Sequence, residues 1–96
     1  MTAKEMFEKL GYVLMTEEVQ SKAKSLYQIR DLSRYMCYSN NPKYWDYDGV
    51  IFDLKLKSFC VETRYDGGDF VDVELYKAIT QQMKELGWIE NETNIY

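Results

Sequence analysis

Hydrophobic and polar positions along this chain divide it into a helix, a run of strands and a second helix. In Thr2-Ala-Lys-Glu5 the threonine hydroxyl can cap the backbone N–H of Glu5 while the glutamate reaches back, which is a capping box. Met6, Phe7 and Leu10 then fall on one apolar stripe, and Gly11 offers a left-handed C-cap. The spacing predicts a short helix over residues 3–10. Tyr12-Val-Leu-Met15 follows as a strand. Glu17 to Ser25 is charged, with Val19 and Ala23 as its apolar positions, and fits either a loop or a short helix started by Thr16.

Residues 26–38 mix two periods. Leu26, Ile29 and Leu32 or Ser33 fit a helix, whereas Tyr27/Ile29 and then Arg34/Met36/Tyr38 alternate, with a phase change near Asp31–Leu32. A phase change inside a strand often marks a bulge, so the segment is read as one long bent strand or two. The Asn40-Asn-Pro and Asp48-Gly signals place a loop over residues 39–49. Val50–Leu56 is a strand in which Ile51 and Phe52 face opposite sides and Phe52, Leu54 and Leu56 then alternate with Asp53, Lys55 and Lys57; Lys57-Ser58 is a turn, and Phe59–Tyr65 is the next strand. Two β-rich runs joined so tightly predict an antiparallel hairpin. Asp66-Gly-Gly-Asp69 is a further turn. Asp72 can N-cap the last helix, Leu75, Ile79, Met83 and Leu86 line one face with Tyr76 and Ala78 flanking it, and Gly87 closes it. Trp88 and Ile89 are expected to fold back onto the core, and residues 90–96 to fray. The fold expected is α+β: a short N-terminal helix, an antiparallel sheet of three to five strands, and a C-terminal amphipathic helix packed on the sheet. Both helices should cover one face.

Ninety-six residues, 46% hydrophobic and 29% charged, make one folded domain over residues 1–96. The net charge of −4 is unevenly spread: residues 1–45 sum to +2 and residues 46–96 to −6. Such acidity argues against nucleic acid as a partner, which calls for a basic footprint, and allows a partner with a basic groove. Solubility alone is the plainer account of that charge. Cys37 and Cys60 sit in strand-like runs and read as buried free thiols. The polar, helical N-terminus does not resemble a signal peptide, and no apolar run approaches the roughly 18–20 residues of a membrane span, so no membrane is expected and the reading is cytoplasmic.

Three segments resemble small uncharacterised accessory proteins encoded by prophages and mobile elements of Gram-positive bacteria. They are Thr2-Ala-Lys-Glu-Met-Phe-Glu-Lys-Leu-Gly-Tyr12, Ile51-Phe-Asp-Leu-Lys-Leu-Lys57 and Glu74-Leu-Tyr-Lys-Ala-Ile-Thr-Gln-Gln-Met-Lys-Glu-Leu-Gly-Trp88. These segments set a fold rather than carry chemistry. The resemblance implies a bacterial host context and carries over no functional residue.

Candidate chemistry is sparse. The chain has no histidine, the commonest general base and neutral metal ligand. Two cysteines cannot make a structural zinc site alone. Asp46-Tyr-Asp-Gly49 resembles the start of a calcium loop, but the position that needs glutamate holds Lys57. Asp66-Gly-Gly-Asp69 lacks the spacing of a phosphate-binding loop. No cofactor or metal is expected, and no carboxylate pair stands out as catalytic. The densest feature is Tyr35–Tyr47, with five aromatic rings around the single proline. Within it, Tyr44, Trp45 and Tyr47 suit anchors of a protein contact, with Asp46 and Asp48 as a charged rim. The same rings also suit a lid that completes the core. A third reading, stacking on single-stranded nucleic acid, is opposed by Asp46 and Asp48. The function expected is a non-enzymatic phage or mobile-element accessory protein that binds a host or phage macromolecule, for instance as an inhibitor of a host defence nuclease. The alternative is a homo-oligomeric structural module, and the third reading a small enzyme.

Overall fold

Thr2 and Glu5 form the capping box: the threonine hydroxyl accepts from the Glu5 N–H at 3.2 Å and the Glu5 carboxylate accepts from the Thr2 N–H at 2.9 Å. The computed structural model describes residues 1–21, 31–40, 49–62 and 71–90. The elements in chain order are α1 (Ala3–Lys9), β1 (Val13–Leu14), α2 (Glu17–Ser21), β2 (Tyr35–Ser39), β3 (Gly49–Asp53), β4 (Ser58–Glu62) and α3 (Val73–Glu85). The fold is α+β, as the sequence predicts. Among the described residues no helix is long and apolar enough to cross a membrane.

The two long-range helices end alike. Gly11 at φ 88° and Gly87 at φ 77° take the left-handed conformation that a side chain disfavours. The Tyr12 N–H then donates to the Phe7 carbonyl and the Trp88 N–H to the Met83 carbonyl, each at 2.9 Å. This pattern reverses the chain and turns the next side chain back toward the core. Tyr12 accordingly meets Phe7 edge-on at 5.9 Å, and Trp88 meets Phe52 at 6.1 Å. Ile89, expected to follow Trp88 inward, is 39% exposed instead, because the reversal brings back one residue and not two.

The four strands form one antiparallel sheet in the order β1-β2-β3-β4. α1 and α3 cover one face together, and run antiparallel: the Ala3 N–H at the start of α1 donates to the Glu85 carboxylate at the end of α3, at 2.7 Å. Between helices and sheet lies the main core of Ala3, Phe7, Tyr38, Val50, Phe52, Leu75, Ala78 and Ile79. Phe7 stacks on Tyr38 with centroids 3.9 Å apart. Met83 and Leu86 pack against this core as the sequence predicts. Gln82, absent from the predicted stripe, is buried beside them because the Tyr38 hydroxyl donates to its carbonyl oxygen at 2.6 Å. The opposite face of the sheet carries a smaller cluster of Met15, Cys37 and Ile51, covered by Val19 of α2 and Leu32.

Further expectations change. Residues 31–34 form a turn and not part of a bent strand: the Asp31 carbonyl accepts from Arg34 and Tyr35, and its carboxylate accepts from the Ser33 N–H. Such an aspartate competes locally with strand pairing; residues 26–30 of the same expectation lie outside the described residues. The β3–β4 hairpin turns over Leu54–Lys57, earlier than Lys57-Ser58, because the Asp53 carboxylate accepts from the Lys55 and Leu56 N–H groups at 3.0 Å each. Leu56, read as part of the alternating strand, lies in this turn and is 65% exposed. Cys60 is exposed rather than buried, since β4 lies at the end of the strand order. Of the two readings of residues 17–25, the short helix holds at its start: Thr16 caps α2 by accepting from the Val19 N–H.

Candidate functional site

The predicted contact residues Tyr44, Trp45, Asp46, Tyr47 and Asp48 lie outside the described residues, as does the Asp66-Gly-Gly-Asp69 turn. The residues that bracket the aromatic segment are placed: Ser39 of β2 pairs with Gly49 of β3. Two other surfaces can be built from described residues upward.

The first is a depression of about 350 Å³ beside the smaller core cluster, with Asp31, Tyr35, Asp53, Ser58 and Cys60 among its lining residues. Cross-strand pairing explains the grouping, since Tyr35 pairs with Asp53 and Asp53 with Ser58. The Arg34 guanidinium donates to both Asp53 oxygens, at 2.9 and 3.3 Å, and lies 5.0 Å from the centre of the Tyr35 ring. The Arg34 fork, with two turn N–H groups, holds the Asp53 carboxyl below the usual carboxylate range. The Ser33 hydroxyl and N–H do the same for Asp31. Both carboxylates are thus committed acceptors that shape turns. A general acid or base needs a pKa near the working pH, and these two are displaced the other way.

The second surface lies on the outer side of the helical layer. Met6 of α1 sits half-buried between two open depressions. One, about 350 Å³, is lined by Met1, Met6, Lys9, Leu10 and Glu74. The other, about 260 Å³, is lined by Met6, Tyr76, Lys77, Thr80, Gln81 and Lys84. Together they make a groove along the α1–α3 seam. Its apolar side chains are far from covered: Met1 is 68%, Tyr76 60% and Leu10 37% exposed. Val73, three residues before Tyr76 on α3 and outside the lining, is 66% exposed. Val73 and Tyr76 share a side of α3 by their three-residue spacing, off the Leu75/Ile79 core stripe. The Thr80 hydroxyl, at the groove wall, is the one buried side-chain polar atom without a hydrogen-bond partner among the described residues.

Charge on this surface runs against the molecule as a whole. The lining holds Lys9, Lys77 and Lys84 against Glu74 alone, in a chain of net charge −4. Lys77 pairs loosely with Glu74 at 3.6 Å. Among the described residues, acidic side chains are exposed on both sides of the sheet, Glu17 and Glu18 on α2 and Asp72 and Glu74 on and beside α3, and do not gather into one acidic face.

Sequence reasoning missed this groove. It put Met6, Phe7 and Leu10 on one stripe and treated Tyr76 as a flank of the core. The available signal was a second apolar row, Val73 and Tyr76, one step round from the first. Comparison of the chain with protein-family models, curated proteins and solved structures finds no match.

Proposed function

We propose that this chain is a non-enzymatic accessory module that acts by binding another protein, with the outer groove of the α1–α3 layer as a contact surface. One observation carries the reading: Met1, Met6, Leu10 and Tyr76 line two depressions that share Met6, rimmed by lysines, with Val73 exposed one helical turn before Tyr76. Single exposed apolar residues are normal on a soluble domain, whereas contiguous ones rimmed by polar groups mark interaction sites. The commitment of Asp31 and Asp53 to turn hydrogen bonds supports the non-enzymatic part. The resemblance to prophage and mobile-element proteins supports the cytoplasm of a bacterial host as its place. Tyr44, Trp45, Asp46, Tyr47 and Asp48 remain proposed contact residues on sequence grounds.

The test is a paired capture and titration. Wild-type protein and a Val73→Ser/Tyr76→Ala variant are used to retain partners from host extract, and the retained protein is then titrated against both. The variant should melt as wild type does, because both positions are exposed, and should bind at least about tenfold more weakly, which is about 1.4 kcal/mol. Equal affinity of the two would reject the groove as the contact surface.

A further inference from the structure

We infer that the α1–α3 groove takes an amphipathic helix whose apolar stripe is flanked by acidic residues, supplied by a different protein. This rests on the reading of the groove as a contact surface and names the chemistry of its occupant.

The backbone of the groove argues for a helix. Every residue that lines it belongs to α1 or α3 or lies within two residues of α1. Helical N–H and C=O groups already bond within their own helix, so the groove offers no row of main-chain partners to an extended peptide. An occupant that satisfies its own backbone avoids that cost, which is the helix-in-groove mode of recognition. From Glu74 to Lys84 the α3 wall runs about 15 Å at 1.5 Å per residue. That length accepts about three helical turns, so anchors at i, i+3 or i+4, and i+7 would span it. Two antiparallel helices with a third laid in their seam repeat the packing distance of about 8–10 Å that helices prefer.

The rim argues for acidity and for a foreign chain. Among the described residues Lys9 and Lys84 have no ion-pair partner, while Glu74 is shared with Lys77. Asp or Glu beside the apolar stripe of an incoming helix would meet these cations within the roughly 8 Å over which exposed charges act in physiological salt. A second copy docked groove on groove about a two-fold axis would set lysines against lysines. An anionic lipid surface would attract the lysines but meet a molecule of net charge −4, and a flat surface does not enter a seam.

The experiment selects binders without assuming a partner. A displayed library of helical 16-residue peptides is selected on the wild-type protein and counter-selected on Val73→Ser/Tyr76→Ala, and survivors are titrated against wild type and Lys9→Glu/Lys84→Glu. Circular-dichroism melts confirm that both variants are folded. The expected survivors carry apolar residues at i, i+3 or i+4, and i+7, flanked by Asp or Glu, and lose at least about tenfold in affinity on the charge-reversed variant. Groove-dependent survivors with neutral or basic flanks would overturn the acidic helix and leave the groove as a contact surface. A selection that yields no groove-dependent clone would overturn both. Sedimentation of the protein alone, and its flotation with vesicles of three parts phosphatidylcholine to one part phosphatidylglycerol, complete the test. A dimer, or vesicle binding, that disappears in Val73→Ser/Tyr76→Ala would replace the helix with a second copy or a lipid surface.

Discussion

Replacing Tyr38 by Phe removes one oxygen atom from the interface between the sheet and α3. The ring is 1% exposed and stacks on Phe7, so the substitution keeps the apolar contact and deletes the hydroxyl alone. That hydroxyl donates to Gln82 at 2.6 Å, and Gln82 is 4% exposed. Without the donor, a buried amide oxygen is left unsatisfied, which costs about 1–3 kcal/mol. Gln82→Leu should cost a similar amount, because it orphans the phenol instead. The double variant removes both polar groups, and should be more stable than the sum of the two losses predicts by about 1 kcal/mol or more. Urea unfolding measures all three, and each kcal/mol should move the melting temperature by about 4–8 °C in a domain of this size. A pH series adds a second reading. Burial, with the Glu85 and Glu8 carboxylates nearby, pushes the Tyr38 phenol up to about 12. The folded state therefore holds this proton more tightly than the unfolded state. The contribution is complete below the unfolded value of about 10 and disappears as pH rises from there through the folded value. The stability gap between wild type and Tyr38→Phe should narrow across that window. Strict additivity of the two single substitutions, with a gap that stays constant to high pH, would refute the bond as a lock between the layers.

Ile79→Ala should destabilise by about 2–5 kcal/mol, read in a melt, because Ile79 is 1% exposed in the main core. Thr80→Val replaces a buried, unpartnered hydroxyl by a methyl group and should raise the melting temperature; a fall would mean that the hydroxyl is satisfied in solution. Cys37 and Cys60 flank Ile51 from opposite neighbouring strands, about 9.6 Å apart at the usual strand spacing, beyond the roughly 7 Å reach of a disulfide. Native protein should therefore keep the full reduced mass, and a thiol reagent should modify Cys60 before unfolding and Cys37 after it. Asp53→Asn should flatten the acid limb of the stability profile: the native carboxyl is depressed, so its contribution is present above the ordinary carboxylate value and is lost as pH falls through the folded one. An unchanged acid limb would show that the Arg34 fork and the turn N–H groups do not favour the ionised form.

Both long-range helices were legible because their signals are local. Thr2 and Glu5, Asp72, Gly11 and Gly87 each act within a few residues of where they stand, and each forms the cap its residue type implies. The hairpin was legible as a pairing, but its turn was misplaced, since the alternation of Leu54 and Leu56 with lysines continued past the point where Asp53 captures two N–H groups. Asp31 hid a turn inside an apparent strand in the same way. In both cases one carboxylate outweighs a hydrophobic period, and a period alone cannot show it. Gln82 was illegible for a different reason: its partner Tyr38 is 44 positions away. The candidate site lay in this class too. Tyr76 reads as a flank of the core stripe until Met6 is brought to it from the other end of the chain.

What makes the groove a plausible place for recognition is the layer on which it is built. The two sheet faces are unequal. The inner side of α1 and α3 meets Phe7, Tyr38 and Phe52 in mutual ring contact, whereas the opposite face rests on Met15, Cys37 and Ile51 under a five-residue helix. Ring stacking, the Tyr38–Gln82 bond and the Ala3–Glu85 bond fix the relative positions of α1 and α3 from the inside. The outer residues Met6, Val73 and Tyr76 therefore ride on helices whose spacing is set by the core and not by anything that fills the groove. A surface held in place this way loses little further freedom when it is covered, and cutting that loss is the main route by which a small interface gains affinity. Met6 packs partly against the core, whereas Met1, Val73 and Tyr76 stay outside it, beside lysines of the opposite sign to the molecule, on a layer braced from within.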